Sequence, residues 1–177
     1  MPVWTGAQQI QSWDCSFKDL QTSDYVVGQA WARLGSVYLL GDQIRAQMDC
    51  PATVKAVREL SQRFPGTLGK LIEDKANGSA VIQMLARELP GLLPVNPEGG
   101  RVARATAISP LIEAGNVYRP HPDYAPWVND FIEECAAFPN GAQDDQVDAM
   151  SQALLRWNMV LSQTIVCYNE PYQIRPI

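Results

Sequence analysis

The chain has 177 residues, 46% of them hydrophobic and 19% charged, enough for one domain to bury a core without disulfides or a structural metal. Its formal net charge of −5 excludes a free-standing basic nucleic-acid binder, unless the acids gather at a cation site and other domains or subunits grip the DNA. No apolar run reaches the roughly 20 residues that cross a bilayer, the start has no signal-peptide pattern, and Cys15, Cys50, Cys135 and Cys167 form no C-x-x-C pair, so the expectation is a cytoplasmic chain with reduced thiols and no membrane partner.

In chain order, Gln9 to Phe17 reads as a strand ending at Asp14-Cys15, Asp24 to Leu34 as a second, and Val37 to Met48 as a third after the tight Gly35-Ser36 connection. Such short links predict an antiparallel meander. Pro51 suits a first helical turn; Val54, Val57, Leu60, Ser61 and Phe64 recur at helical spacing until Phe64-Pro65-Gly66 stops the helix. A strand over Thr67 to Asp74 follows, then a helix from Gly78 to Leu89 with Val81, Leu85 and Leu89 on one stripe. Leu92 to Asn96 reads as a fifth strand, Val102 to Glu113 as a helix and Asn116 to Tyr118 as a short edge. Helices over Tyr124 to Ala137 and Asp144 to Met159 complete a domain placed at residues 1–160, with a C-terminal tail at 161–177. The expected fold class is α/β, a mixed five-stranded sheet with its first three strands antiparallel, flanked by helices.

Several chemistries drop out at once. His121 is the only histidine and lies in the loop RPHPD, which excludes a histidine-centred triad and a multi-histidine zinc site. Gly66-Thr67-Leu68-Gly69-Lys70 has the wrong spacing for a phosphate-binding loop, so ATP hydrolysis is not expected. Trp13, Trp31 and Trp157 sit in apolar patterns and read as core rather than as base-stacking platforms.

Carboxylates in costly places remain. Asp14 closes the first strand, where an ionised group needs a cation or hydrogen bonds; it is either a metal ligand or the cap of a turn toward Ser16. Glu73 and Asp74 close the fourth strand and point to opposite faces, so only one can join Asp14; a solvated strand end is the ordinary alternative for both. Asp144, Asp145 and Asp148 open the last helix. Asp144 suits its N-cap, and Asp145 and Asp148 share a face beside the apolar stripe Val147, Met150, Leu154, Trp157 and Leu161. Acids from two strand ends and a helix start are what hard Mg²⁺ or Mn²⁺ requires, and two such ions about 3.5–4 Å apart hydrolyse a phosphodiester without a side-chain base.

The segments SWDCSFK (Ser12 to Lys18), DYVVGQAW (Asp24 to Trp31), IEDKANGSAVIQML (Ile72 to Leu85), EAGNVYRP (Glu113 to Pro120) and FPNGAQDDQVDAM (Phe138 to Met150) together resemble the C-terminal nuclease domain of tailed-bacteriophage terminase large subunits, in family order from about residue 9 to 157. The resemblance implies a ribonuclease H-like fold and Mg²⁺- or Mn²⁺-dependent cutting of concatemeric double-stranded viral DNA in an infected or lysogenic host. It also implies Asp14, Glu73 and Asp145 as catalytic metal ligands, with Asp148 and Asp74 as auxiliary ones. The partners it implies are an ATPase motor domain, a small terminase subunit and a portal; the motor motif is missing here, so an excised domain or partial gene product is expected. Lys18, Lys75, Arg101 and Arg104 are candidates for phosphate contacts, with a solvated face as the ordinary alternative. A junction resolvase or transposase-like strand-transfer enzyme of the same fold, and an inactive packaging-assembly module, are the competing functions.

Overall fold

The structure, a computed structural model, describes residues 4, 6–15, 25–75 and 77–167. Six strands form one sheet in the order β5-β4-β1-β2-β3-β6. β1 (Gln8–Asp14), β2 (Val26–Leu34) and β3 (Val37–Ala46) make the expected antiparallel meander. β4 (Gly69–Glu73) lies parallel to β1, and β5 (Leu92–Val95) parallel to β4. The sixth strand, β6 (Val117–Tyr118), pairs parallel with β3 through Tyr38 and Leu39. The expected five-stranded sheet is thus widened by the short edge segment, whose two paired residues were too few to carry a strand pattern.

Helices cover both faces. α1 (Cys50–Arg63) begins where the Asp49 carboxylate accepts from the Ala52 N–H at 2.8 Å, with Pro51 in the first turn. With α2 (Asn77–Leu85) it buries Val54, Val57, Leu60, Val81 and Leu85 against Trp13 and Ile72. α3 (Arg101–Glu113), α4 (Val128–Ala137) and α5 (Asp145–Cys167) cover the other face, where Ile108, Phe131, Met150, Leu154 and Trp157 pack on Ile10, Trp31 and Leu71. Trp13, Trp31 and Trp157 are core residues, as expected. Among the described residues no helix is long and apolar enough to cross a membrane.

Several boundaries move, with α2 ending at Leu85 rather than Leu89 and α4 beginning at Val128 rather than Tyr124. β1 stops at Asp14 rather than reaching Phe17, and residues 16–24, including the candidate phosphate contact Lys18, lie outside the described residues. α5 runs through the boundary set at residue 160 as far as Cys167, so the tail beginning at 161 starts as helix; residues 168–177 lie outside the described residues.

Candidate metal centre

The first two acids arrive on neighbouring strands. β1 and β4 are in parallel register with Trp13 opposite Ile72, so Asp14 and Glu73 come next on adjacent strand ends. Alternation gives Asp14 the face of Ile10 and Ser12, and Glu73 the face of Leu71. Ile10 and Leu71 belong to the core under α5, so both carboxylates project toward that helix. Gln152 fixes the layer: its Nε2 donates to Ser12 Oγ at 2.9 Å and lies 3.4 Å from the Trp13 carbonyl oxygen.

α5 supplies the remaining acids. Asp144 stands at the N-cap position, its carbonyl accepting from the Asp148 N–H at 2.9 Å, and Asp145 is the first helical residue. Asp14, Asp145 and Asp148 are only 2%, 4% and 6% exposed. The Oδ2 atoms of Asp14 and Asp145 are buried and accept no hydrogen bond, although both residues take part in other interactions.

Cations of the protein run among these acids. Arg101 pairs with Asp144 and places Nε 2.9 Å from Asp148; Arg104 comes within 2.8 Å of Asp148, and Lys75 within 3.0 Å of Glu73. Burial disfavours the Arg101 charge, yet Asp148, Asp144 and Asp14 together raise its pKa, which ties the end of β1 electrostatically to α3 and α5. For Asp148 burial wins: its pKa is raised even though Arg104 and Arg101 pull the other way. Burial, followed by Asp14 and Glu73, also pushes the adjacent Cys15 thiol up, so that it stays protonated.

Among the described residues no three carboxylate, thiol or imidazole groups are gathered closely enough to enclose an ion. Carboxylates repel one another, and the cations that offset this here pair with Glu73 (Lys75), Asp144 (Arg101) and Asp148 (Arg101 and Arg104). The donor chemistry itself, carboxylate oxygens at two strand ends and a helix start, fits a hard divalent cation.

The other predicted residues divide clearly. Asp74 turns aside: its backbone N–H bonds the Val95 carbonyl at 2.8 Å and its carboxylate accepts from Ser79 Oγ. Gly78 follows because a Cβ there would collide with the Glu73 carbonyl oxygen, so the glycine lets the start of α2 close over the end of β4. Of the candidate phosphate contacts, the Lys75 side chain is 62% exposed and Arg101 39%, whereas Arg104 is 11% exposed and held by Asp148. Removing Arg104 leaves the buried Asp148 with one counter-ion fewer. Arg104→Ala is therefore expected to lower stability by roughly 3 kcal/mol, the cost of breaking a buried pair, and Arg101→Ala by less; urea unfolding of the two variants checks the order.

Sequence reasoning missed Glu134 and the residue beside Asp145. Glu134, on α4, turns its carboxylate onto the first turn of α5, and Gln146 lies fully buried beneath it. A carboxylate among Glu133, Glu134 and Asp130 on an amphipathic helix gives no signal that it faces inward.

A family model described as the terminase RNaseH-like domain matches residues 11–156. No curated protein gives a match by sequence. Among solved structures, the large terminase nuclease of thermophilic phage G20c with bound zinc is 16% identical, with a TM-score of 0.63 over 82% of this chain and 79% of that one. A large terminase from another thermophilic bacteriophage is 13% identical, with a TM-score of 0.62 over 87% of this chain. The chain spans only 40% of that protein's length. The manganese-soaked terminase nuclease domain of human cytomegalovirus is 10% identical, with a TM-score of 0.57 over 83% of this chain and 80% of that one. At these identities the likeness carries the fold, which is ribonuclease H-like as expected from the sequence.

Proposed function

The chain belongs to the terminase RNaseH-like domain family, and on that footing we propose that it is a divalent-cation-dependent endonuclease that cuts double-stranded viral DNA for packaging. The observation that carries the reading is the family match over residues 11–156; the parallel register that sets Asp14 and Glu73 on adjacent strand ends, and the start of α5 at Asp145, support it. Solved relatives described with zinc and with manganese support a divalent requirement, for which we assign Mg²⁺ or Mn²⁺, as a pair of ions.

Asp14, Glu73 and Asp145 are the residues that would hold the cations. Bound there, the metal would supply Lewis acidity to the phosphodiester and make water a nucleophile near neutral pH. Asp148 acts differently: it holds Arg101 and Arg104, and through Arg101 keeps a guanidinium beside the acids, where it can meet a phosphate. Asp74 secures the β4 end by its bond with Ser79. Lys75 and Arg101, the more exposed of the described candidates, are the phosphate contacts we assign beside Lys18. The ATPase motor, a small subunit and a portal are the partners we assign, in the cytoplasm of the host cell; the motor and small subunit would supply the grip that an acidic chain lacks.

The direct test is incubation of the chain with supercoiled plasmid in Mn²⁺ or Mg²⁺, with and without EDTA. Nicking followed by linearisation, abolished by the chelator, is the expected result. Cleavage that persists unchanged in EDTA, or none in either metal, would sink the proposal.

A further inference from the structure

We propose that Glu134 is the positioning residue for the metal-ligating end of α5, acting through Gln146 to set Asp145; this rests on the nuclease reading of the same site. A helix leaves its first N–H groups without intrahelical acceptors, and the N-cap side chain ordinarily takes them. Here that side chain, Asp144, is drawn away to Arg101. Glu134 reaches over from α4 instead. Its Oε1 accepts from the Gln146 N–H at 2.6 Å and from the Val147 N–H at 3.3 Å, and its Oε2 accepts from Gln146 Nε2 at 2.6 Å.

The same glutamine is anchored from the sheet. Gln43 of β3 donates to Gln146 Oε1 at 2.7 Å, and Gln29 of β2 donates to the Gln146 carbonyl at 3.1 Å and to Gln43 Oε1 at 2.8 Å. Arg45 lies 3.5 Å from Glu134 and offsets its charge. The residue adjoining Asp145 is thereby held by α4, β2 and β3 at once, and Gln29, Gln43, Glu134 and Gln146 are all buried. A rigid, hydrogen-bonded support of this kind fixes the direction of a neighbouring metal ligand, and loss of such outer support weakens metal affinity by about 10- to 100-fold. The Asp144 side chain is thus left to hold Arg101 while α5 remains capped.

The test compares the full chain with Glu134→Ala, Glu134→Gln and, as a stability control on the opposite face of the sheet, Val57→Ala. Mn²⁺ affinity is measured by calorimetry and amide exchange is followed at Gln146 and Val147. Glu134→Ala is expected to weaken Mn²⁺ binding by about 10-fold and to speed exchange at both amides, with Glu134→Gln lying between it and wild type. Val57→Ala should melt earlier yet bind Mn²⁺ as wild type does. If Glu134→Ala does not fold, Glu134→Gln carries the comparison, and wild-type affinity in that variant overturns the inference. So does equal weakening by Val57→Ala. A wild type that binds Mn²⁺ but does not cut plasmid would overturn the nuclease reading alone, whereas one that binds no Mn²⁺ would overturn both.

Discussion

In Asp145→Asn and Asp14→Asn chains, Mn²⁺-dependent plasmid cleavage is expected to fall by more than about 100-fold, beyond the loss that accompanies removal of an outer-shell partner. Asparagine keeps the shape of each side chain and removes the charge that would bind the cation. The fold should survive, and stability should move the other way. Asp14, Glu73, Asp144, Asp145 and Asp148 share the region with Arg101, Arg104 and Lys75, so negative charge is in excess where burial already disfavours it. Neutralising one acid should therefore leave the metal-free melting temperature unchanged or raise it by about 2–4 °C, the shift that roughly 1 kcal/mol produces in a chain of this size. Adding Mn²⁺ should then raise the melting point of the wild type and not of the variants, because only the native state offers the assembled ligands. Thermal melts in EDTA and in Mn²⁺, run beside the plasmid assay, check both halves. Wild-type cleavage by both variants would show that the acids have been misassigned.

What the sequence made legible follows its periodicities. The strands of the meander and the helices of the core announced themselves by alternation or by a three-to-four-residue apolar repeat, and Asp14 and Glu73 stood out because each closes an apolar run. The buried polar groups were not legible. Gln11 and Gln29 alternate with apolar neighbours as solvent-facing residues would, yet both are fully buried. Each accepts from a tryptophan two residues on, at 3.0 Å from Trp13 Nε1 and 2.9 Å from Trp31 Nε1. Such pairings depend on which elements cover a strand, and a single sequence does not carry that information. The same holds for Arg104 with Asp148 and for Glu134 with Gln146: their separations of 44 and 12 residues are bridged only by packing. The acids could thus be named as candidates from the sequence, but not the counter-ions and supports that make their burial tolerable.

A second large effect is expected from a residue with no side chain. Gly28 faces Trp13 across the β1–β2 pair, and a Cβ at Gly28 would lie 2.3–2.5 Å from atoms of the Trp13 ring, far inside van der Waals contact. The ring is fully buried and tethered through Nε1 to Gln11, and β1 lies between β2 and β4, so neither side chain nor strand has room to yield. Space, not backbone conformation, makes glycine necessary, since the backbone here is ordinary strand. Gly28→Ala is expected to cost about 3 kcal/mol, at the upper end of ordinary overpacking, and to lower the melting temperature by roughly 10 °C. A double-mutant cycle isolates the cause: in a Trp13→Leu background, with the ring gone, the added methyl group should cost less than about 1 kcal/mol. The effect should also reach the site, because Asp14 is the next residue after Trp13. Assayed well below its melting point, Gly28→Ala should need more Mn²⁺ for half-maximal cleavage than wild type, as displacement of β1 would require. Equal penalties in the two backgrounds would place the damage elsewhere than against Trp13.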